Sequence, residues 1–305
     1  MRRRKDSEFD KIEDIIEKND VILLDNSIGG YPGYSFDKTF ITFLEEYDNY
    51  KNMDADQLSS KIYGLCVFEN FLCSDKTKLI CQTFDEFNYL TYFINYFKNQ
   101  FLSEEMLENR KDIYDLFQEY LPKHELIRDV LELKSMKVID SHHTTYSERI
   151  ESEFINDMFD LLKIISIQGK LKEKKSIFAK PANYNNTTDE LITTTAIYLS
   201  RQKIENNSQK VGIVTKDDDF KNLLFTTMGY LSRVNEKLNH QDPEEFLHNL
   251  PRIYHFERFT LFDELEFEDT YYQKYQEDEL AEKLSKKTNK RINYFLTKHK
   301  DFFKI

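Results

Sequence analysis

Two short apolar runs, each leading closely into carboxylates, most constrain the fold of this 305-residue chain. The first is Val21–Leu24, with Asp25 directly after it, and the second is Val211–Val214, with Asp217 and Asp219 shortly after it. Four apolar residues in succession favour a parallel β-strand that helices cover on both faces. Residues directly after such strands lie at the carboxyl edge of the sheet, where open α/β folds bind ligands. We therefore expect an α/β fold with these acids at one sheet edge.

The second motif contains three consecutive acids, and in an extended chain their side chains do not all lie on the same side. In an extended chain the side-chain period is two, so Asp217 and Asp219 share a side while Asp218 points away. We therefore predict that Asp217 and Asp219 are the functional pair. Taken singly, each acid is also explained by a turn or by the start of a helix.

A third acid, Asp189, stands at the head of a predicted helix between the two motifs. The apolar residues after it have a spacing near the helical period: Leu191, Ile192, Ala196, Ile197 and Leu199. This pattern places Asp189 in the first turn of an amphipathic helix, where the helix dipole favours a carboxylate. Three separate elements thus supply acids that an α/β fold can bring together.

Carboxylates gathered at one sheet edge repel each other, so they require raised pKa values, cationic partners or a bound divalent metal. A metal is the simplest of these explanations. Ligation by oxygen alone selects a hard ion such as Mg²⁺ or Mn²⁺, which keeps water molecules for use as nucleophiles. The sequence offers no competing His and Cys set with zinc spacing. We predict the metal ligands to be Asp25, Asp189, Asp217 and Asp219.

The order of these motifs resembles that of the PIN-domain ribonuclease family. The resemblance rests on the strand that ends in Asp25-Asn-Ser27, on the acid-headed helix at Asp189, and on Thr215-x-Asp-x-Asp-Phe220. It implies a three-layer α/β/α fold with a mostly parallel central sheet, and an endoribonuclease that hydrolyses RNA with Mg²⁺ or Mn²⁺. It further implies that Asp25, Asp189, Asp217 and Asp219 are the catalytic acids, and that Ser27 and Thr215 orient the ligands.

The family also has an acid in a helix after its first strand, for which this chain offers Glu69 or Glu86. Glu69 stands alone among apolar residues, and a buried charge requires a reason. Glu86 lies beside Asp85 and is explained by solvation. We predict Glu69 as the catalytic helix acid, with Glu86 as the open alternative, and Asp140 at a predicted strand end is a further candidate.

The motifs lie further apart here than in minimal members of the family, which indicates added helices. We predict a nuclease domain over 1–262 with a helical insertion at about 84–135, and a helical C-terminal extension over 263–305. Within the insertion we predict helices over 84–97, 104–120 and 123–133. A strand at 137–140 and a helix over 150–165 come next, and 252–256 is predicted as the last strand.

The formal net charge of −12 is opposite in sign to that of a usual nucleic-acid binder. Basic residues nevertheless concentrate in the loop before Asp189, where we predict RNA contacts by Lys170, Lys172, Lys174, Lys175 and Lys180. A second basic run occupies 283–291. There the spacing of Glu282 and Lys286 is typical of solvated helix pairs, so we interpret that run as a solvated face.

Composition also bears on compartment and partners. Three cysteines without paired metal spacing favour core thiols in a reducing compartment, and the apolar runs are too short to cross a bilayer. We therefore expect no signal peptide, a cytoplasmic protein and no membrane partner. RNA is the predicted substrate. A regulatory protein partner or a second copy of the chain would suit the acidic insertions of a toxin or defence effector.

Two other functions remain open at this stage. One is a catalytically inactive PIN-like module that binds RNA or protein. The other is a Mg²⁺-dependent phosphatase that resembles the haloacid-dehalogenase class, although that class requires a second Asp where Ser27 stands.

Overall fold

The computed structural model describes residues 9–29, 55–80, 98–120, 135–136, 153–171, 188–204, 207–265, 267 and 277–303. Its main feature is a six-stranded sheet with the strand order β3-β2-β1-β6-β7-β8. The bounds of these strands are β1 Val21–Leu24, β2 Thr77–Ile80, β3 Ser135–Met136, β6 Val211–Thr215, β7 Arg252–Arg258 and β8 Leu261–Leu265. Two further strands, β4 Lys203–Ile204 and β5 Asn207–Ser208, form a separate antiparallel pair.

The sheet is parallel throughout except at β8, which pairs antiparallel with β7. Strands β1 and β6 lie side by side in the middle, with Leu24 opposite Val214. Strand β7 continues the sheet beyond β6, with His255 opposite Thr215. The carboxyl ends of β1, β6 and β7 therefore lie next to one another.

Helices supply the remaining secondary structure. Their bounds are α1 Ile12–Lys18, α2 Ala55–Leu72, α3 Glu104–Asn109, α4 Lys111–Tyr120, α5 Glu153–Gly169, α6 Thr188–Arg201, α7 Asp219–Lys221, α8 Thr227–Lys237, α9 Pro243–Leu247, α10 Glu277–Lys283 and α11 Lys286–Lys298. A π-helical segment, Asn222–Thr226, joins α7 to α8, and 3₁₀ turns occupy Asn26–Gly29 and Lys300–Phe303.

Alternate residues of the central strands enter two separate cores, one on each face of the sheet. Ile22 and Leu24 pack with α1 to α4, whereas Leu23 and Ile213 pack with α5, α6, α8, α10 and α11. All five residues of β6 are buried. The predicted mixed α/β architecture, with a mostly parallel sheet covered on both faces, is thereby confirmed.

The C-terminal part of the sheet differs from the sequence prediction. The strand predicted at 252–256 extends to Arg258, and β8 comes after it, so the predicted domain boundary after residue 262 falls inside a strand. The acids of this tract obscured β8 in the sequence. Glu264 is accommodated there by ion pairs with Lys18 at 2.8 Å and Arg252 at 3.0 Å. Helices α10 and α11, which belong to the predicted helical extension, contribute residues to the second core.

The predicted helical insertion is described only over 98–120. One helix was predicted over 104–120, but two occur there, because the chain leaves the helical conformation at Arg110. Met106, Ile113 and Phe117 pack them into the first core. The helix predicted over 150–165 corresponds to α5. The predicted helices at 84–97 and 123–133, and the predicted strand at 137–140, lie outside the described residues. Across the ranges given above, no helix has the length and apolarity needed to span a membrane.

Candidate active site at the carboxyl edge of the sheet

Asp25 is the buried centre of the candidate site. It continues the ladder of β1, donating its main-chain N–H to the Val214 carbonyl at 2.9 Å, and its side chain is 6% exposed. Its Oδ2 accepts hydrogen bonds from Thr215 Oγ1, at 2.7 Å, and from Ser27 Oγ. The two residues predicted to orient the ligands thus contact this carboxylate directly.

A close approach of α2 holds the turn that carries Ser27. Gly64 of α2 lies so near this 3₁₀ turn that a Cβ at position 64 would overlap the carbonyl oxygen of Ile28. Ile28 in turn donates its N–H to the Asp25 carbonyl at 3.3 Å. The absence of a side chain at Gly64 therefore allows helix and turn to pack closely and fixes Ser27 against Asp25.

The segment after β6 is bound to the same carboxylate. Thr215 Oγ1, which donates to Asp25, accepts the N–H of Asp217 at 2.9 Å. Ser27 Oγ accepts the N–H of Lys216 at 3.2 Å. One hydroxyl from each motif therefore connects the end of β1 to the end of β6.

The three acids of the second motif have different surroundings. Asp217 Oδ1 accepts the N–H of Asp219 at 2.8 Å, so Asp217 stands at the start of the helical segment that begins with α7. Asp219 is buried, at 5% exposure. Asp218 is exposed, and its Oδ1 lies 2.7 Å from Lys221 Nζ. The backbone is helical rather than extended at Asp218, so the alternation of side chains expected for an extended chain does not occur there.

Asp189, on helix α6, is the third acid of the candidate site. It is the second residue of α6 and is half-buried. Burial raises the pKa of Asp25 well above the ordinary value, the charge of Asp189 raises it further, and Asp217 adds a smaller effect. The hydrogen bonds from Ser27 and Thr215 act in the opposite direction. Three acids predicted from separate motifs are thus electrostatic neighbours at one sheet edge.

The donor chemistry of these three acids fits a hard cation. Both hydrogen bonds to the Asp25 carboxylate within the described ranges fall on Oδ2, and none falls on Oδ1. Carboxylate oxygens are the ligands of Mg²⁺ and Mn²⁺. However, no group of three or more His, Cys, Asp or Glu side chains stands at metal-ligand spacing in the part of the chain that the structure covers. The acids are neighbours, but not a preformed ligand cage.

Glu69 lies elsewhere. It is 1% exposed, its Oε2 is 3.4 Å from Lys98 Nζ, and its Oε1 has no hydrogen-bond partner among the described groups. Burial raises the pKa of Glu69 to about 7, and Lys98 opposes that shift. Helix α2 leads through a short turn into β2, so it runs from the carboxyl edge of the sheet to the amino edge. Glu69 therefore lies about 7.5 Å beyond Gly64, away from Asp25.

The predicted RNA-binding lysines are mostly outside the described residues. Lys170 is exposed and comes directly after α5 in a left-handed conformation, with φ of 52°. The other members of the predicted set, and the alternative acids, lie outside the described ranges: Lys172, Lys174, Lys175, Lys180, Glu86 and Asp140.

Two residues near the site were missed in the sequence. Glu190, beside Asp189, is buried at 3% exposure. His255 lies opposite Thr215 in the next strand, and its Nε2 is 3.8 Å from Asp218 Oδ1. Paired residues of a parallel sheet share a face, so His255 is on the side of Thr215 and Asp25. The available signal was a polar residue at the carboxyl end of a predicted strand, the same signal that identified Asp25.

No family model, curated protein or solved structure matches this chain. Its class is therefore defined by architecture and site alone. It is a layered α/β protein in which a mostly parallel sheet carries a buried aspartate, with two further aspartates nearby, at its carboxyl edge.

Proposed function

We propose that this protein is a metal-dependent endoribonuclease of the PIN type, which hydrolyses RNA phosphodiester bonds with Mg²⁺ or Mn²⁺. The observation that supports the proposal most is the position of Asp25, buried at the end of a central strand with Asp189 and Asp217 near enough to raise its pKa. A buried carboxylate among other carboxylates is unfavourable in the absence of a cation.

Each residue has a distinct role in this proposal. Asp25, Asp189 and Asp217 hold the cation, with Asp219 adjoining them. The hydroxyls of Ser27 and Thr215 fix the Asp25 carboxylate, which leaves Oδ1 for the cation. When bound, the cation polarises the scissile phosphate and lowers the pKa of the attacking water. Glu69 is left out of the ligand set, since its contact is with Lys98.

The sequence resemblance supports RNA as the substrate, and it also supports a biological role for the cleavage. The motifs that resemble the PIN family lie at the end of β1, the start of α6 and the end of β6, and acids of the last two raise the pKa of Asp25. We extend the proposal to a cytoplasmic toxin or defence effector, whose activity a protein partner regulates.

The test is cleavage of labelled single-stranded RNA in Mn²⁺ and in EDTA. We expect cutting in Mn²⁺ only, and a loss of at least about a hundredfold in Asp25→Asn and Asp217→Asn, because each removes an anionic ligand. Asp218→Asn is the matched control, since Asp218 is the adjacent acid but is exposed and paired with Lys221. Cleavage that persists in EDTA, or that falls equally in Asp218→Asn, would contradict the proposal.

One observation favours a second function, that of a PIN-like module which binds RNA without cutting it. The described part of the chain has no ready-made group of metal ligands. In that case the RNA would be retained intact, with the same affinity in EDTA as in Mn²⁺, and Asp25→Asn would leave that affinity unchanged.

A further inference from the structure

Helix α11 carries an exposed face that is rich in positive charge. Its sequence, from Lys286 to Lys298, contains five Lys or Arg residues and no Asp or Glu. All five are exposed, and four of them form with one exposed aromatic residue what we call the basic face: Lys286, Lys287, Lys290, Arg291 and Tyr294. The whole chain has a net charge of −12, so this concentration of positive charge is unusual within it.

The helical period gathers these residues on one side. At about 100° per residue, they fall within an arc of about 140°, with Tyr294 near its middle. The opposite side carries Ile292, Phe295 and Leu296, which are buried in the second core. Tyr294 is 68% exposed, so its ring is presented to solvent among the cations.

The four cations of the basic face have no carboxylate partner in the ranges that the structure describes. Lys298 falls within the same arc, 5.9 Å from the centre of the Tyr294 ring, and is paired, at 2.5 Å from Glu153 and 2.6 Å from Asp157. The pairing that the sequence predicted between Glu282 and Lys286 does not form. Helix α10 ends at Lys283, and Ser285 caps α11 by accepting the Thr288 N–H at 3.2 Å. Glu282 and Lys286 therefore belong to different helices.

We infer that the basic face binds the phosphate backbone of single-stranded RNA and that Tyr294 stacks on a base. Unpaired cations around an exposed ring match the two parts of such a ligand, its phosphates and its bases. A bilayer surface is a poorer fit, because a membrane-bound helix needs its apolar face free, and here that face is in the core. We name RNA rather than another polyanion because this inference rests on the proposed function, in which RNA is the substrate.

Helix α11 packs against the helical run that begins at the candidate active site. Asn289 Oδ1 accepts a hydrogen bond from Tyr230 Oη at 3.0 Å. Tyr230 lies on α8, in the helical run that begins at Asp219. Eleven residues separate Asp219 from Tyr230, which is about 16 Å along a helix. The basic face therefore lies on a helix that packs against this run at a point about 16 Å along it from Asp219.

The test measures binding of a labelled single-stranded RNA to the full chain in EDTA, over a series of salt concentrations. Lys290→Gln with Arg291→Gln removes two proposed phosphate contacts, so we expect at least tenfold weaker binding at low salt. The slope of log affinity against log salt should decrease by about 1.4, since each single-strand contact contributes about 0.7. Tyr294→Leu should weaken binding by at least about fivefold through loss of stacking.

The matched control is Lys111→Gln with Lys210→Gln, which removes two exposed cations from other surfaces and changes the net charge equally. Equal effects of the two double variants, or no effect of the first, would overturn the inference. Binding of polyglutamate as tight as that of RNA, with no effect of Tyr294→Leu, would identify an acidic protein partner and overturn it too.

Failure of this inference is distinguishable from failure of the proposed function, because binding in EDTA requires no turnover. Metal-dependent cleavage with unchanged binding by the Lys290 and Arg291 variant would refute the basic face alone. Weakened binding by that variant, with no cleavage under any metal, would refute the nuclease and leave the basic face in place.

Discussion

At the scale of single residues, Thr215 connects the two acidic motifs. Its hydroxyl donates to Asp25 at 2.7 Å and accepts the N–H of Asp217 at 2.9 Å. Both bonds are to groups whose positions define the site. A side chain of the same shape without the hydroxyl would make neither hydrogen bond. A hydrogen bond to an ionised carboxylate contributes more to stability than one between two neutral groups.

We therefore expect Thr215→Val to lower RNA cleavage by about ten- to a hundredfold, the range typical of residues that orient metal ligands. Thr215→Ser keeps the hydroxyl and should retain most of the activity. Single-turnover cleavage rates of the three proteins give the comparison. Equal rates for Thr215→Val and the unaltered protein would show that the hydroxyl does not position Asp25.

Glu69 allows a prediction about stability that is independent of catalysis. Burial raises its pKa from 4.5 to about 7, so between these values the folded protein holds a proton that the unfolded chain has lost. The free energy of unfolding should therefore decrease as the pH rises from about 4.5 to about 7. At 1.36 kcal/mol per pKa unit, the loss has an upper limit of about 3 kcal/mol.

Glu69→Gln removes this titration, so we expect it to be more stable than the unaltered protein at pH 8 and similar at pH 4. Urea unfolding at both pH values measures the difference. Activity in Mn²⁺ should be retained, since Glu69 is paired with Lys98. Loss of activity without loss of stability would instead restore Glu69 to the catalytic set predicted from the sequence.

The same residue shows a limit of sequence reasoning. An acid alone among apolar residues requires a partner, and that expectation agrees with its burial. The sequence does not say which partner it has, because Lys98 is 29 positions away and lies in a region predicted as an insertion. The contacts of Ser27 and Thr215 could be predicted more readily than the partner of Glu69, since each residue is within about three residues of the end of a predicted strand.

At the scale of elements, the packing of α2 on the 3₁₀ turn positions the first motif. Gly64 permits that contact, and any side chain there would meet the Ile28 carbonyl. Backbone atoms cannot move aside as a flexible side chain can, so helix and turn would have to separate. Such a separation would also displace Ser27 from Asp25.

We expect Gly64→Ala to decrease the free energy of unfolding by about 1–3 kcal/mol, in spite of the higher helix propensity of alanine. Cleavage should decrease as well, through the displaced turn. Thermal unfolding and cleavage rates check both parts. A Gly64→Ala protein that is more stable than the original would mean that propensity outweighs the overlap and that the contact is looser than described.

Elements with an uninterrupted apolar pattern could be predicted from the sequence, and those with mixed patterns could not. Strands β1 and β6 are buried on both faces, so four apolar residues in a row identified them. Helix α6 had a clear helical period. Strand β8 carries Asp263 and Glu264, and these charges concealed it, because the ion pair of Glu264 with distant Lys18 is a tertiary effect. The break between α3 and α4 at Arg110 has no Pro or Gly to signal it.

At the scale of the whole molecule, the candidate site draws its three acids from distant parts of the chain. Positions 25, 189 and 217 meet because β1 and β6 are neighbours in the sheet and α6 packs against β6. The strand order places them together, and strand order is not readable from a single sequence. The strand ends and the resemblance in motif order supplied the expectation that the acids lie together, and the effect of Asp189 and Asp217 on the pKa of Asp25 agrees with it.

The convergence of acids has a consequence for stability. In the absence of metal, Asp25 is ionised at a cost, because burial and the charge of Asp189 both disfavour its anion. Above the raised pKa of Asp25, its replacement by a neutral side chain should stabilise the metal-free protein. A cation that binds only the folded state should stabilise the unaltered protein by about 2.7 kcal/mol at a concentration of a hundred times its Kd. The unaltered protein should then be more stable than the variant with a neutral side chain at position 25.

The most direct test of the central claim is thermal unfolding at pH 8, with EDTA or Mn²⁺, of the unaltered protein, Asp25→Asn and Asp218→Asn. In EDTA we predict that Asp25→Asn has the highest Tm. Mn²⁺ should raise the Tm of the unaltered protein and of Asp218→Asn, and leave that of Asp25→Asn unchanged. An Mn²⁺ effect of equal size in all three proteins, or in none of them, would contradict the claim that these acids form a cation site.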